Sequence, residues 1–468
     1  MEFGLTSLGQ QAARVPREEY VIIRDEPAYE MVRSIIPQGE MEDIDGWARS
    51  VYTLEGHLEA IHAYRKPLLP EPTDTRWEEA KSAVMAEVQH ELGAIDSLDF
   101  SSDLALVPYE ASSAAGYGYT GRKGEGNNFS KAIRITNAAI RQYDEDIHQF
   151  GLDRANFGIT ENSTPDIGLT RTQLAKLPQL KVRNVFGEAF HYILIEGLSA
   201  FPLLSAFKSR DTFYFIGKDP TIWVPSIVEE MELNSNWFIV LDWSGFDASV
   251  QNWEIDFAFN CLKSVMTFPN RLSELAFDYS RAIFKRRKIL APDGQMYMRN
   301  SGIPSGSYFT NMVGSIINYT RIKFLMFTLG LPIYKIRVQG DDSITATTSE
   351  AAPDARRLAS IGQQYGWTLK PEKCIITDYS TEVVFLGRSM RHRYNVRERN
   401  RALRLICFPE FRVTDPTIST ARVHAIMNDA GNVDSLFDKI YLAMYNTYGE
   451  AQTVPNELLP FHQRQFYM

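Results

Sequence analysis

Several things are scarce in this sequence, and each absence closes a line of interpretation. Among 468 residues there are three cysteines, Cys261, Cys374 and Cys407, far apart and in no Cys-x-x-Cys pair. A thiolate zinc site is therefore not expected, and an odd, unpatterned count suits a reducing compartment rather than a disulfide framework. No uninterrupted apolar run approaches the ~18 residues that a membrane span requires. The nearest, Phe324 to Leu331, is too short. No basic stretch followed by an apolar one opens the chain, so no export signal is expected. Internal repeats and low-complexity tracts are missing. Positive charge is in deficit, with a net charge of −9. Alone, that total speaks against a nucleic-acid partner. Recognition needs only a local basic channel, however, so the distribution outweighs the sum.

What is present is globular: 44% hydrophobic and 23% charged residues, in a chain too long for one simple core. A proline-broken stretch from Lys66 to Thr73 closes an N-terminal segment. The spacing of Trp77, Ala80, Val84 and Val88 predicts a helix over Arg76 to Leu92. Tyr109 to Lys131, rich in glycine, serine and tyrosine, is a loop carrying Arg122, Lys123 and Lys131. Thr170 to Arg183 holds Arg171, Lys176, Lys181 and Arg183 with no acidic residue. Trp237 to Leu241 predicts a strand buried on both faces, ending directly in Asp242. Residues 253 to 290 have a largely helical pattern. A long apolar helix follows from Phe309 to Leu329, stopped by Gly330 and Pro332. Tyr334 to Gln339 and Ser343 to Thr347 flank Gly340-Asp341-Asp342 as a β-hairpin. Pro353 to Gly366 is helical, and so is most of the chain beyond the basic stretch Arg388 to Arg404.

Asp242 and Asp341 carry the chemistry. An aspartate at the end of an apolar strand is costly unless something compensates it. Mg²⁺ is a natural partner, being a hard ion that takes carboxylate oxygens and substrate phosphates; Mn²⁺ suits the same donors. Nucleotidyl transfer uses two such ions about 3.5–4 Å apart, which calls for carboxylates converging from separate strands. Each residue also has a plain alternative. Gly-Asp-Asp is ordinary turn composition, and Asp242 suits a helix N-cap.

The surrounding motifs decide between these. Asp242-Trp-Ser-Gly-Phe-Asp247, Gly302-Ile-Pro-Ser-Gly-Ser-Tyr-Phe-Thr310 and Val338-Gln-Gly-Asp-Asp-Ser-Ile344 occur in that order. Together they resemble the carboxylate, glycine-serine and Gly-Asp-Asp motifs of viral RNA-dependent RNA polymerases. The resemblance covers residues 110 to 390 and implies an α+β right-hand polymerase fold with fingers, a palm built on an antiparallel sheet, and a helical thumb. The implied boundaries are an N-terminal arm over 1–70, fingers over 71–235, palm over 236–395 with 255–300 returning to the fingers, and thumb over 396–468.

The resemblance also assigns roles. Asp242 and Asp341 would hold the metal with Asp342 assisting, and Lys373 would protonate departing pyrophosphate as general acid, unless it is simply an exposed lysine at a strand start. Asp247 would accept a hydrogen bond from the ribose 2′-hydroxyl, or cap the following helix, or both. Ser305, Thr310 and Asn311 would complete ribose selection. Many relatives carry an asparagine where this chain has Gly314, and Asn311 is the candidate substitute or else a helix surface residue. Lys176, Lys181 and Arg183, with Arg171, resemble the basic motif that meets the incoming triphosphate; a solvated helix face is the alternative. Ser113, Gly116 and Tyr117 resemble the loop that guides template, or form a flexible surface loop. Gly302 and Gly306 would let the glycine-serine loop bend beneath the template. Arg388 resembles the residue gripping the primer strand, and the arginines from Arg391 to Arg404 would line an RNA channel.

Within the family the chain is most similar to the polymerases of partitiviruses, then picobirnaviruses. That implies an enzyme replicating and transcribing a double-stranded RNA segment inside a virion in the host cytoplasm. Its partners would be template RNA, product RNA, NTPs and a capsid protein, with no membrane. Two other readings stand beside this one. A reverse transcriptase would place a bulky residue where Asp247 stands. A catalytically silent RNA-binding or capsid-associated protein would not need intact aspartates in both carboxylate motifs.

Overall fold

The computed structural model describes residues 2–11, 21–49, 51–179 and 181–455. The expected arm and thumb each run partly outside the described residues, at 12–20 and 456–468.

The strand Trp237–Val240 lies inside a four-stranded antiparallel sheet, in the order Lys335–Gln339, Asp342–Thr347, Trp237–Val240, Ile375–Thr377. Its unbroken apolar run follows from burial on both faces. Ile239 and Leu241 enter the large core with the helix Thr310–Thr328, whereas Phe238 and Val240 pack with Val224, Ile227, Val228 and Met231 of the helix Pro220–Asn234. The Gly-Asp-Asp hairpin forms as expected, with Gln339 paired to Asp342 across the turn. The helix expected from Arg76 runs Thr75–Leu92; Asp74 caps it, and Trp77, Ala80, Val84, Val88 and Leu92 are buried. It lies along Thr310–Thr328, and Trp77 meets the rings of Trp253, Phe324 and Trp367.

A second sheet of five strands has the order Leu5–Gln10, Gln295–Arg299, Arg287–Leu290, Asp166–Thr172, Val182–Gly187. The helical pattern over 253–290 therefore breaks off early. Helices occupy Asn252–Lys263 and Arg271–Lys285, and Arg287–Leu290 is a strand with alternating burial. Arg287 points into the protein, ion-paired to Asp166 at 2.9 Å and Glu188 at 2.5 Å, all three fully or almost fully buried. A local helical period cannot reveal an ion pair made across the sheet.

The first seventy residues do not stand apart. Leu5–Gln10 is an edge strand of the five-stranded sheet. The helices Glu26–Ile35 and Gln38–Asp45 share a core with the C-terminal helices Arg399–Cys407, Pro416–Asp429 and Ser435–Tyr448. Trp47–Ala48 pairs with Ala175–Lys176, so this segment joins the C-terminal helices to the five-stranded sheet's hairpin. The helix Phe190–Ser209 has the length and hydropathy of a membrane span, but 72% of its apolar window is buried inside the protein. It is a core helix.

Candidate active site

Gly340 takes φ +62°, which lets the hairpin turn tightly and present Asp341 and Asp342 at its tip. The neighbouring ladder ends at Thr345 opposite Ile239. Continued in the same register, it brings Asp342 opposite Asp242. The electrostatics agree. The Asp342 carboxyl is pushed up to about 6, first by the cleft walls that displace water from it, then by the charges of Asp341 and Asp242, against a lowering by Arg401. The Asp247 carboxyl is also raised to about 6, by burial first and then by Asp341, with Arg183 opposing. Four aspartates thus share one field, and mutual repulsion among carboxylates is what a bound cation relieves.

On its other side Asp242 is held by the turn that leads into Ile375–Thr377. Its carbonyl accepts the Lys370 N–H at 3.1 Å and its own N–H points at Cys374 Sγ at 3.4 Å. Lys373 lies on that turn, exposed, between two residues that touch the Asp242 backbone.

Beside the aspartates is a cavity of about 250 Å³, lined by Asp247, Phe246, Ser305, Thr310, Asn311, Gly314, Gly340, Asp341, Val185, Arg171 and Arg183. The structure thereby brings the four expected ribose-selecting residues together with Asp341 and Arg183. Asn311, exposed at its helix start, has its Oδ1 fixed by the Tyr214 hydroxyl at 2.7 Å, and its amide lies against Gly340. The glycine at 314 leaves room there.

Arg171 and Arg183 sit directly opposite each other in the ladder of Asp166–Thr172 with Val182–Gly187. Like charges facing across a ladder are unfavourable unless an anion offsets them, and Glu410, 3.4 Å from Arg171, does so in part. This segment is a β-hairpin, so the alternative of a basic helix face falls away.

The glycines act by close approach. A Cβ on Gly306 would stand 1.8 Å from the Phe186 carbonyl oxygen, and one on Gly302 (φ +83°) would stand 2.7 Å from the Tyr64 ring. The loop therefore lies flat on the strand Val182–Gly187, where the Phe186 N–H donates to Ser305 Oγ at 3.2 Å. Gly302 and Gly306 are explained by this packing.

Other expected residues lie elsewhere. Lys176 and Lys181 are exposed on the same hairpin but do not line the cavity. Gly116 (φ +86°) packs on the Glu188–Ala189 backbone, and Ser113 accepts from Lys123 Nζ at 2.6 Å. Tyr117 borders a separate cavity of about 340 Å³ with Gln10, Lys288 and Met296. Arg388 is a correction: it is 4% exposed and ion-paired to Asp429, which also binds Arg397. A guanidinium buried against an interior carboxylate does not reach a primer phosphate at the surface. Its partner lies forty-one residues away in sequence, beyond any local motif.

Two residues not singled out from sequence hold the site together. Ser315 Oγ accepts the Gly340 N–H at 2.8 Å, and the amide of Asn318 bonds both carboxylate segments. With Asn311 they form a polar stripe at helical spacing among the apolar residues of the first half of this helix, and that stripe was the available signal.

Among the described residues no group of three His, Cys, Asp or Glu side chains forms a ready metal cage. An all-oxygen set of aspartates in an open cleft fits Mg²⁺ all the same, because that ion keeps waters and takes substrate phosphates instead of a full protein shell.

Carboxylates from a strand end and a hairpin tip, beside a cavity lined by hydroxyl, amide and carboxylate side chains and by two arginines, suit a nucleotidyltransferase of the right-hand class. The comparisons narrow this. The model of the viral RNA-dependent RNA polymerase family matches residues 21–445, and the chain belongs to that family. The RNA-directed RNA polymerase of Atkinsonella hypoxylon virus, of the partitivirus type, is 21% identical over 299 residues, covering 53% of this chain and 45% of the relative. The chain thus spans less than half the length of that curated relative. Among solved structures, the Sicinivirus 3Dpol RNA-dependent RNA polymerase superposes with a TM-score of 0.73 at 15% identity, covering 100% of both chains. An insertion-loop deletion mutant of a human picobirnavirus polymerase gives 0.66 at 15% identity, over 93% of this chain and 89% of that one. The fold is the α+β right-hand polymerase fold.

Proposed function

We propose that this chain synthesises RNA on an RNA template, replicating and transcribing a double-stranded RNA viral genome. The observation that carries the reading is the convergence of Asp242, Asp341 and Asp342 next to a cavity lined by Asp247, Ser305, Thr310, Asn311, Arg171 and Arg183. Residues 71–235 with 255–300 serve as fingers, 236–395 as palm and 396–468 as thumb, with the segment 1–70 bridging fingers and thumb.

The reaction is attack of a primer or product 3′-hydroxyl on the α-phosphate of an NTP, with pyrophosphate leaving. Asp242 and Asp341, assisted by Asp342, would hold the divalent cation, Mg²⁺ or in its place Mn²⁺, which when bound neutralises phosphate charge and acidifies the 3′-hydroxyl. Arg171 and Arg183 grip the triphosphate from opposite strands, which resolves their mutual repulsion. Asp247, ionised above pH 6, accepts the 2′-hydroxyl, with Asn311, Ser305 and Thr310 around the sugar. Lys373, on the turn beside Asp242, gives a proton to the departing pyrophosphate. Lys176 and Lys181 draw NTPs toward the hairpin, and Tyr117 meets the template. Work inside a capsid within the host cytoplasm completes the reading.

The test is incubation of the purified chain with single-stranded RNA, the four NTPs and Mg²⁺, beside Asp341→Ala. Labelled RNA from the native chain alone is expected. Equal synthesis by the variant sinks the assignment. Incorporation of dNTPs in preference to NTPs would favour a reverse transcriptase instead.

A further inference from the structure

The antiparallel ladder between the two carboxylate-bearing strands stops at Thr345 and Ile239, short of the aspartates themselves. No ladder bond fixes Asp242 against Asp342. One side chain spans that gap. Asn318, 0% exposed in the middle of Thr310–Thr328, donates through Nδ2 to the Gly340 carbonyl at 2.9 Å and the Asp342 carbonyl at 3.3 Å. Its Oδ1 accepts the Trp243 indole N–H at 2.8 Å. Every partner is one of the aspartates or its immediate neighbour in sequence.

The orientation of this amide is set by chemistry. An indole N–H can only donate and a backbone carbonyl can only accept, so a flipped amide would lose all three bonds. The Trp243 ring is itself seated, with the Arg321 guanidinium 5.6 Å from its centre and Phe246 alongside. Arg321 is locked by Glu254 through contacts of 2.6 and 2.8 Å. The support beneath the amide is therefore rigid.

We propose that Asn318 is a positioning residue that sets the separation of the metal-holding aspartates, acting through the Gly340–Asp342 turn on one side and Trp243 on the other. This rests on the polymerase reading above for the role of the aspartates. A buried amide that merely satisfied itself in the core would need no bond to both segments at once.

The experiment measures Mn²⁺ binding to the full chain without nucleotide, by calorimetry or the loss of free-Mn²⁺ paramagnetic signal, together with steady-state kinetics. Asn318→Ala is expected to weaken Mn²⁺ binding about tenfold, the lower end of losses seen when groups behind metal ligands are removed. It should lower kcat while leaving the NTP KM within about twofold, since Arg171, Arg183, Asp247, Ser305, Thr310 and Asn311 of the cavity make no bond to Asn318. Trp243→Phe keeps an aromatic ring at the site but removes the pyrrole half of the indole with its N–H donor; it should weaken binding in the same direction by less. The double variant should be no worse than Asn318→Ala alone, because both changes break one linkage. Native Mn²⁺ affinity in a folded Asn318→Ala protein overturns the proposal. If that variant does not fold, native affinity in Trp243→Phe overturns it, as do strictly additive effects. A native chain that binds Mn²⁺ but makes no RNA removes the polymerase reading and leaves this one. Unchanged binding with RNA still made does the reverse.

Discussion

Asp247 and Asp342 are kept as carboxylates at a cost to the fold. Each has its carboxyl raised from 3.8 to about 6. Between those pH values the folded chain holds protons that the unfolded chain has released, so stability falls as pH rises through the window and stays lower above it. Asp342→Asn should therefore raise the Tm at pH 7.5, by roughly 1–2 °C after allowance for solvent screening, and the gain should vanish below pH 4. A Tm unchanged or lowered at pH 7.5 would show that the repulsion is absent. The same titration bears on the sugar. A charge-assisted hydrogen bond from the 2′-hydroxyl exists only while Asp247 is ionised. The preference for NTP over dNTP in kcat/KM should fall by roughly three- to fourfold between pH 7.5 and 5.5, following the ionised fraction of a carboxyl at about 6, and Asp247→Asn should show low preference at both. A preference independent of pH in the native chain would exclude Asp247 from the ribose. At this scale the sequence was legible in placement where a residue's position is carried by its own motif: Asp242, Asp247 and Asp341 come within one electrostatic field of one another. It was silent where the deciding partner is remote: Asp429 pairs with Arg388 in the interior, and nothing in Phe385-Leu-Gly-Arg388 announces it.

The elements were legible where burial repeats with a local period, and so Thr75–Leu92, Thr310–Thr328 and the Gly-Asp-Asp hairpin came out nearly as expected. The strand Leu5–Gln10 did not, because its partner Gln295–Arg299 lies almost three hundred residues on, and Arg287–Leu290, a hairpin with that same strand, was hidden in the helical pattern that runs up to it. The helix Thr310–Thr328 does the most for the site: one stripe carries Asn311, Ser315 and Asn318, and a turn further on Arg321 faces Glu254 with both side chains 0–1% exposed. Breaking a buried pair leaves an uncompensated charge, so Glu254→Gln should cost about 3 kcal/mol in denaturant unfolding. Glu254→Gln combined with Arg321→Met should recover part of that, and a double variant worse than the single would contradict the argument. The glycine-serine loop makes a sharper claim. A methyl at position 306 cannot share space with the Phe186 carbonyl, so Gly306→Ala must lift Ser305 from that strand. A displacement of about 1 Å at a positioning loop is worth on the order of 100-fold in rate, and kcat/KM for NTP should drop accordingly. A Gly306→Ala enzyme of native activity would mean the loop does not need its seat.

Across the whole molecule the net charge of −9 conceals a segregated distribution. Next to the nucleotide cavity lies a groove of about 680 Å³ lined by Arg49, Arg171, Arg183, Arg397, Arg401 and Arg404, with Glu398 as its one acidic member. Its walls come from three parts of the chain. Glu410 ties Arg49 and Arg171 at 3.1 and 3.4 Å, and Arg404 stacks 4.1 Å over Trp47. Arg171 and Arg183 line both spaces, so groove and cavity adjoin at these two side chains. Arg404 is paired to Asp43, while Glu410 is shared by Arg49 and Arg171 and Asp429 by Arg397 and Arg388, so the pairs fix the wall and leave it a net positive charge. Arg401 is exposed, and its field reaches Asp342. The acidic exterior and basic interior make a testable signature. RNA binding should weaken steeply with salt despite the acidic total, because each phosphate neutralised releases counterions. Arg401→Gln should reduce the slope of log K against log salt by about 0.7, the increment for one contact on a single strand, while lowering affinity equally for unrelated sequences. Binding that ignores salt, or an Arg401→Gln slope equal to the native one, would place the RNA outside this groove.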